Sequence, residues 1–203
     1  LGATPSTGGQ NKYKIDSGYT TSLYLGQPVQ YDTAGGANTN AGYVISGQDA
    51  ITRPTIGVFN GIFYTASGTL KPTWASHFVR TTAPANSEDV DCFVIDNPWQ
   101  QYNVQLSARL AATAALAQAE MGKTMGMTVS ALGAGSDASG STLSGQSNSQ
   151  LTVGTASNAV ANQWRLLRVA EDPENQDLIT TVQTDPALAN FSGYATVVVV
   201  AAR

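Results

Sequence analysis

The sequence predicts a mainly β protein made of two small β-sandwich-like or barrel-like lobes, with one short Ala-rich helix and an extended N-terminal arm. Three observations lead to this fold class. Short runs rich in Val, Ile, Thr and Tyr recur between Gly and Pro residues, which is typical of several strands joined by turns. The run SARLAATAALAQAEMG is dense in alanine, the best helix former. Between the strand runs and this Ala-rich run, Pro98 in DNPWQQY interrupts the strand pattern and marks a boundary between the two lobes.

The first lobe is predicted over residues 12–97, behind an arm formed by residues 1–11. The arm, LGATPSTGGQN, carries no charge and no large apolar residue after Leu1, so it cannot nucleate a core. About six short strands follow, and their spacing favours a small sandwich or barrel. They lie in YTTSLYLGQPVQY, YVISG, ITRPTIGVFNGIFYT, HFVRTTA and DVDCFVID.

Within this lobe, IGVFNGIFYT predicts a β-hairpin folded about Asn60 and Gly61. Asn-Gly is the strongest short-range hairpin signal, because a type I′ turn needs positive φ at both central positions. The two arms do not alternate apolar with polar residues, as a half-exposed hairpin would. The pattern therefore predicts that a second surface covers the outer face of these strands.

The second lobe, residues 98–203, is predicted to be α+β. A helix is expected at about 107–121, with Ser107 as a possible N-cap and Gly122 as the stop. The chain ends with QWRLLRVAE, an acidic turn, and the apolar strand YATVVVVAA, whose unbroken Val run indicates a strand covered on both faces.

A Ser/Gly-rich loop at about 133–150 separates the helix from these last strands. It is either a flexible surface loop or a segment ordered against a neighbouring subunit. The apolar residues Leu143, Leu151 and Val153, within or just after the tract, favour partial order.

Composition and charge argue against several classes of function. Charged residues make up 12% of the chain, the net charge is −4, and the ten Lys and Arg residues are scattered, so no nucleic-acid-binding patch is expected. No apolar run approaches the length of about 18 residues that a membrane span needs. We therefore predict neither nucleic acid nor membrane as a partner.

No catalytic, metal or cofactor site can be assembled from the sequence. The single histidine, His77, lacks a nucleophile motif, and the single cysteine, Cys92, stands among apolar neighbours and is predicted to be buried. MGKT lacks the first glycine of a phosphate-binding loop, and Lys123 is expected to interact with the end of the preceding helix. The carboxylates cluster in predicted turns beside proline. The sequence thus predicts a protein that is not an enzyme and has no cofactor.

Three segments carry a resemblance to a known family. SGYTTSLYLGQPVQY, GVFNGIFYT and QWRLLRVAEDPENQD ahead of YATVVVVAA resemble tailed-bacteriophage capsid decoration proteins, also called cement proteins. The resemblance runs from about residue 17 to the C-terminus and rests on short, mostly hydrophobic motifs. The Ala-rich helix and the Ser/Gly tract are not diagnostic of it.

The resemblance implies a structural virion protein on the outer capsid surface, commonly a homotrimer, that clamps neighbouring major capsid subunits. It carries no catalytic residues. An uncharged arm suits this role, because an extended segment can add a strand to a neighbour's sheet through main-chain hydrogen bonds. The predicted capsid-binding residues are Thr4, Pro5, Ser6, Lys12, Tyr13 and Lys14, and the predicted oligomer-interface residues are Phe59, Phe63 and Trp99.

Two other functions fit the same composition. One is a different phage structural role, in the tail or in a head fibre. The other is a carbohydrate-binding module, which predicts three coplanar aromatic rings on one face of a sheet. Trp74, Trp99 and Trp164 are the tryptophans available for such a face, although core packing is the commoner use of such residues.

Overall fold

A computed structural model shows a mainly β protein built from antiparallel sheets, as the sequence predicts. It describes residues 9–32, 42–47, 54–107, 119–129, 140–153, 163–170 and 196–201. The chain divides into two compact units. The first is Leu1–Asn97 with Ala131–Asn148, and the second is Pro98–Ser130 with Ser149–Arg203.

The first unit contains a six-stranded antiparallel sheet. Its strands follow the order β1-β6-β4-β2-β3, and β5 pairs with the second half of β4. A short 3₁₀ turn, Ala85–Ser87, precedes β6. The strands are β1 (Asn11–Ile15), β2 (Pro28–Tyr31), β3 (Val44–Ser46), β4 (Thr55–Thr65), β5 (Pro72–Ala75) and β6 (Val90–Ile95).

The predicted hairpin at Asn60-Gly61 is wrong, because β4 runs without a break from Thr55 to Thr65. Phe59 pairs with Val94 and Ile62 pairs with Cys92 of β6, so Asn60 and Gly61 together oppose a single residue. This arrangement is a β-bulge, and Gly61 supplies the positive φ, +122°. A bulge and a type I′ turn both favour Asn-Gly, which explains the error.

The bulge resets the alternation of side chains along β4. Phe59 and Ile62 are three positions apart, yet both lie in the core with at most 1% of their surface exposed. The actual hairpin joins β4 to β5, and its turn is closed by the bond from Leu70 N–H to the Ala66 carbonyl.

The core of the first unit lies inside a curled sheet. Strands β1 and β3, at the two ends of the strand order, come close together. The rings of Tyr13 and Tyr31 meet edge to face, with centroids 6.0 Å apart. The enclosed residues are Ile15, Leu23, Val29, Val44, Phe59, Ile62, Phe78, Val90, Cys92 and Val94. Full burial of Cys92 confirms the prediction for that residue, and burial raises the pKa of its thiol to about 12.

Part of the Ser/Gly-rich tract belongs to the first unit, which differs from its predicted place in the C-terminal lobe. Leu25 N–H donates to the Gly145 carbonyl, and Ser147 N–H donates to the Leu25 carbonyl. Gly140 packs so closely on the Tyr24 ring that a Cβ there would lie 2.3 Å from Tyr24 Cγ. Residues 140–148 are therefore built into the first unit by backbone pairing that composition alone does not reveal.

The second unit is a small barrel-like arrangement. Its strands are β7 (Gln101–Gln105), β8 (Thr124–Met125), β9 (Met127–Val129), β10 (Ser149–Leu151), β11 (Trp164–Val169) and β12 (Thr196–Ala201). Four form a sheet in the order β7-β12-β11-β8, and β9 pairs with β10. Gly126 alone separates β8 from β9, and Leu151 of β10 bridges to Leu106, which follows β7. Both edge strands of the four-stranded sheet are therefore connected to the two-stranded sheet, as in a barrel.

The core of the second unit is apolar and includes a tryptophan. Trp164 is 2% exposed, and Tyr102 meets its ring edge to face at 5.7 Å. The alternating residues Val197 and Val199 of β12 are fully buried in the same unit. Residues 108–118, which hold most of the predicted helix at 107–121, lie outside the described residues. Across the described ranges, no helix is long and apolar enough to cross a membrane.

Candidate interaction surface

The outer face of the first unit's sheet exposes aromatic and charged side chains next to each other. In β6, Val90, Cys92 and Val94 point into the core, so the alternation turns Asp91 and Phe93 outward. The register places Lys12 of β1 beside Phe93, and Lys14 beside Asp91. We call the group Gln10, Lys12, Lys14, Asn60, Phe63, Trp74, Asp91 and Phe93 the outer face.

Three aromatic rings cluster on the outer face. Trp74 of β5 lies 4.7 Å from Phe93 and 6.3 Å from Phe63, measured between ring centroids. Trp74 is 57% exposed and Phe63 is 39% exposed, so much of this apolar surface meets solvent. The ring planes are tilted by 33° and 49°, so the three rings do not form the coplanar platform that a carbohydrate-binding module predicts.

A cluster of three charges borders the aromatic rings. Lys14 Nζ lies 2.6 Å from Asp91 Oδ1, and Lys12 Nζ lies 3.2 Å from Asp91 Oδ2. Burial opposes ionisation of Asp91, but the hydrogen bonds from Lys14 and Lys12 outweigh it and lower its pKa. The hydrogen bond to Asp91 raises the pKa of the Lys14 ammonium. Two ammonium groups share the Asp91 carboxylate, and the nearby carboxylates of Asp89 and Glu88 also raise the pKa of Lys14.

A pair of amide side chains links β1 to the bulge in β4. Asn60 Nδ2 donates a hydrogen bond of 2.5 Å to Gln10 Oε1. The indole of Trp74 is adjacent, because Trp74 Nε1 lies 3.8 Å from the position that a Cβ on Gly61 would occupy. The bulge thus brings an amide pair to the edge of the aromatic cluster.

The opposite side of β1 has a structural role. Tyr13 packs against the core and donates a 2.6 Å hydrogen bond to Asp96 Oδ2, while Asn11 Nδ2 lies 2.9 Å from both Asp96 oxygens. Burial and the bond to Asp96 raise the pKa of Tyr13. Asp96 therefore anchors the first residues of β1 to the end of β6.

The predicted site residues fall in different places. Lys12, Lys14 and Phe63 lie together on the outer face, whereas Tyr13 is turned to its other side. Trp99 is 85% exposed and belongs to the second unit.

Phe59 requires a correction, because it is fully buried in the core and has no surface to offer an oligomer interface. The apolar texture of IGVFNGIFYT suggested a surface there, but Phe59 pairs with Val94 of β6, which points into the core, and so Phe59 points inward as well. Thr4, Pro5 and Ser6 lie outside the described residues.

Two residues of the outer face, Trp74 and Phe93, are not among the predicted capsid-binding or oligomer-interface residues, and Trp74 was named only for the alternative carbohydrate-binding face. Strict alternation in DVDCFVID places Phe93 opposite the buried Cys92 and Val94, so the sequence held a signal for it. Trp74 had no such signal, because its position beside Phe93 depends on the pairing of β4 with both β5 and β6.

Other candidate groups have structural partners. His77 stacks on the buried Tyr24 ring with centroids 5.8 Å apart, and its Nδ1 lies 3.3 Å from Ser76 Oγ. Lys123 Nζ makes an ion pair of 2.8 Å with Glu120. Among the described residues, no group of three or more His, Cys, Asp or Glu side chains is arranged to hold a metal ion.

Comparison with protein-family models, with curated proteins and with solved structures finds no match to this chain.

Proposed function

We propose that this chain is a structural virion protein that binds the outer surface of an assembled bacteriophage capsid. It stabilises the capsid by clamping neighbouring major capsid subunits. The proposal rests on the sequence resemblance and on one structural observation. Strand β1, first in the strand order of the sheet, is the direct continuation of the uncharged segment 1–10.

Strand β1 is well suited to hold such a segment. Asp96 anchors Asn11, the ion pairs of Lys12 and Lys14 tie β1 to β6, and Gln10 is bonded to Asn60 of β4. A tensile load applied to residues 1–8 would therefore be passed into the centre of the sheet. Residues 1–8, including Thr4, Pro5 and Ser6, are the proposed contact with the neighbouring capsid subunit.

The mechanism is mechanical and depends on assembly. A protein that binds only the assembled lattice stabilises it by mass action against its dissociated subunits. Contacts to several subunits at once raise the effective affinity without requiring a deep pocket on any of them. No catalytic residue is needed for this function.

The test is a deletion of residues 1–8, measured by co-sedimentation with capsids that lack the protein. The deletion stops before Gln10 and Asn11 because both hold the sheet together. We expect an unchanged melting temperature and a loss of capsid binding of at least tenfold. A second variant keeps the length of the segment but replaces the proposed contact residues Thr4, Pro5 and Ser6 by Gly and Ser, and it should also lose capsid binding. Equal occupancy by the deleted chain would refute the clamp, and failure of the intact chain to bind would refute the function.

Labelled antibody against the chain separates this proposal from a tail or head-fibre role. Electron microscopy should show label over the whole capsid shell. Label confined to the tail or to one vertex would assign the chain to the alternative phage structural role.

A further inference from the structure

We propose that Asn60-Gly61 is a site of spontaneous deamidation that the native fold protects, so that the chain is modified there only while the first unit is unfolded. This inference does not depend on capsid binding. It arises from the bulge in β4, which places a chemically labile pair of residues in the middle of a sheet. Asn60-Gly61 is the only Asn-Gly pair in the sequence.

The reaction needs no enzyme and no co-reactant other than water. The main-chain nitrogen of Gly61 attacks Asn60 Cγ, the new C–N bond closes a five-membered imide, and the bond from Cγ to Nδ2 breaks. The side-chain nitrogen leaves as ammonia and takes up the proton that the Gly61 nitrogen gives up. Water then opens the imide at one of its two carbonyls. One product is an aspartate, and the other is an isoaspartate, whose main chain runs through the former side chain.

The glycine makes this pair the most reactive one in the unfolded chain. Because Gly61 has no Cβ, its nitrogen is unshielded and its peptide rotates freely. Every other asparagine is followed by a residue that carries a side chain, and Asn103, for example, precedes the β-branched Val104. We therefore expect the unfolded chain to deamidate at Asn60 first.

The native fold holds both reacting groups in place. Asn60 Nδ2 donates to Gln10 Oε1, so the side-chain amide is tied to the residue that precedes β1. Gly61 is buried, and a Cβ at its position would lie 2.9 Å from the Ala75 carbonyl oxygen, so its main chain lies against β5. Attack requires the peptide between Asn60 and Gly61 to rotate, and that rotation would displace β5.

The main chain on both sides of the pair is fixed as well. Phe59 pairs with Val94 of β6, and Ile62 pairs with Cys92 of β6 and with Ala75 of β5. The reaction therefore requires β4 to separate from two neighbouring strands. Because β4 is the middle strand of the sheet order, this separation amounts to unfolding of the first unit.

An isoaspartate at this position would prevent refolding. It adds one main-chain carbon between Phe59 and Ile62, which are 0% and 1% exposed and face the core opposite Val94 and Cys92. The longer chain cannot keep both side chains in register with β6. Deamidation thus makes prolonged unfolding of the first unit irreversible.

The experiment incubates the full chain at one mildly alkaline pH, in buffer and in guanidinium chloride, and follows deamidation by mass spectrometry of its peptides. Isoaspartate is counted by methyl transfer from protein isoaspartyl methyltransferase. We expect the peptide that contains Asn60 to react at least tenfold faster in guanidinium chloride than in buffer, and faster than the peptide that contains Asn103. Gly61→Ala, compared in guanidinium chloride where folding plays no part, should slow the reaction at least tenfold.

Two variants in plain buffer link the protection to the fold. Gly57→Ala, whose added Cβ would lie 2.2 Å from the Ile95 carbonyl oxygen of β6, should deamidate faster than the parent chain. Gly68→Ala is the matched control, because its Cβ would meet no atom within 4 Å, and it should react at the rate of the parent.

Each part of the proposal has a result that would overturn it. Absence of reaction at Asn60 in the unfolded parent would overturn the site. Equal rates in the folded and unfolded parent would overturn the protection, as would a Gly57→Ala chain that unfolds more readily yet deamidates no faster. Recovery of the native state by isoaspartate-containing chains after dilution of the denaturant would overturn the block to refolding. These measurements use no capsid, so their failure would leave the proposed clamp standing.

Discussion

Asp91 illustrates how a single residue joins strands that lie far apart in the sequence. Asp91 lies on β6 and forms ion pairs with both lysines of β1, and its side chain is 20% exposed. The lowered pKa of Asp91 means that its ionised form stabilises the folded state. The raised pKa of Lys14 likewise means that its charged ammonium form stabilises the folded state. The cluster therefore contributes most where both groups are charged.

The pH dependence follows from these directions. The stabilisation by Asp91 is fully present above its ordinary pKa of 3.8 and is lost as the pH falls through its lower folded value. The stabilisation by Lys14 is lost only as the pH rises through its folded pKa above 10.5. We predict that Asp91→Asn costs about 1 kcal/mol or less at pH 7, since the lysines are exposed. Urea unfolding of both chains from pH 2 to 7 should show this difference shrink as the pH falls below about 4 and through the folded pKa of Asp91. A difference that stays the same at every pH would contradict the assignment.

At the scale of an element, β4 shows what the sequence can predict and what it cannot. Strand β6 was predictable because its alternation of Val90, Cys92 and Val94 is a local signal. The bulge in β4 was not, since Asn60-Gly61 satisfies a hairpin turn and a bulge equally well. Whether the chain forms a turn or a bulge here depends on its pairing with β6, about 30 residues further along the chain. The outer face was also only partly predictable. Lys12, Lys14 and Phe63 were each predicted as site residues, but their position next to Trp74 depends on how β1, β4, β5 and β6 pair.

Gly57 gives a direct test of the β4–β6 pairing. A Cβ at this position would lie 2.2 Å from the Ile95 carbonyl oxygen and 2.8 Å from Val94 Cγ1. The backbone of β6 cannot move away without breaking its pairing with β1, so Gly57→Ala should destabilise the fold by about 3 kcal/mol. Chemical denaturation measures the change. Gly68→Ala is the control, because no atom lies within 4 Å of its added Cβ, and it should stay within about 0.5 kcal/mol of the parent. A neutral Gly57→Ala would show that β4 and β6 are not so closely paired.

At the scale of the whole molecule, the chain combines two β units that each enclose an apolar core and each expose aromatic surface. The exposed aromatic residues of the two units differ in their surroundings. Trp74 of the first unit packs against the rings of Phe93 and Phe63. Trp99 is 85% exposed, and it is the largest exposed apolar side chain among the described residues of its unit. Such a residue suits the interface between copies that the resemblance to decoration proteins implies.

We predict that the purified chain has three times the mass of one protomer, measured by light scattering on a sizing column over a range of concentrations. Symmetric association repeats one contact, so a single exposed aromatic residue per protomer is buried three times in a trimer. Trp99→Ser should shift the mass towards that of one protomer, because truncating a central aromatic anchor costs about 2 kcal/mol or more at each contact. Trp74→Ser should leave the mass unchanged, since Trp74 belongs to the first unit and packs against Phe93 there. A single-protomer mass for the parent chain at every concentration would contradict the trimer. A trimer that survives Trp99→Ser would place its interface elsewhere on the molecule.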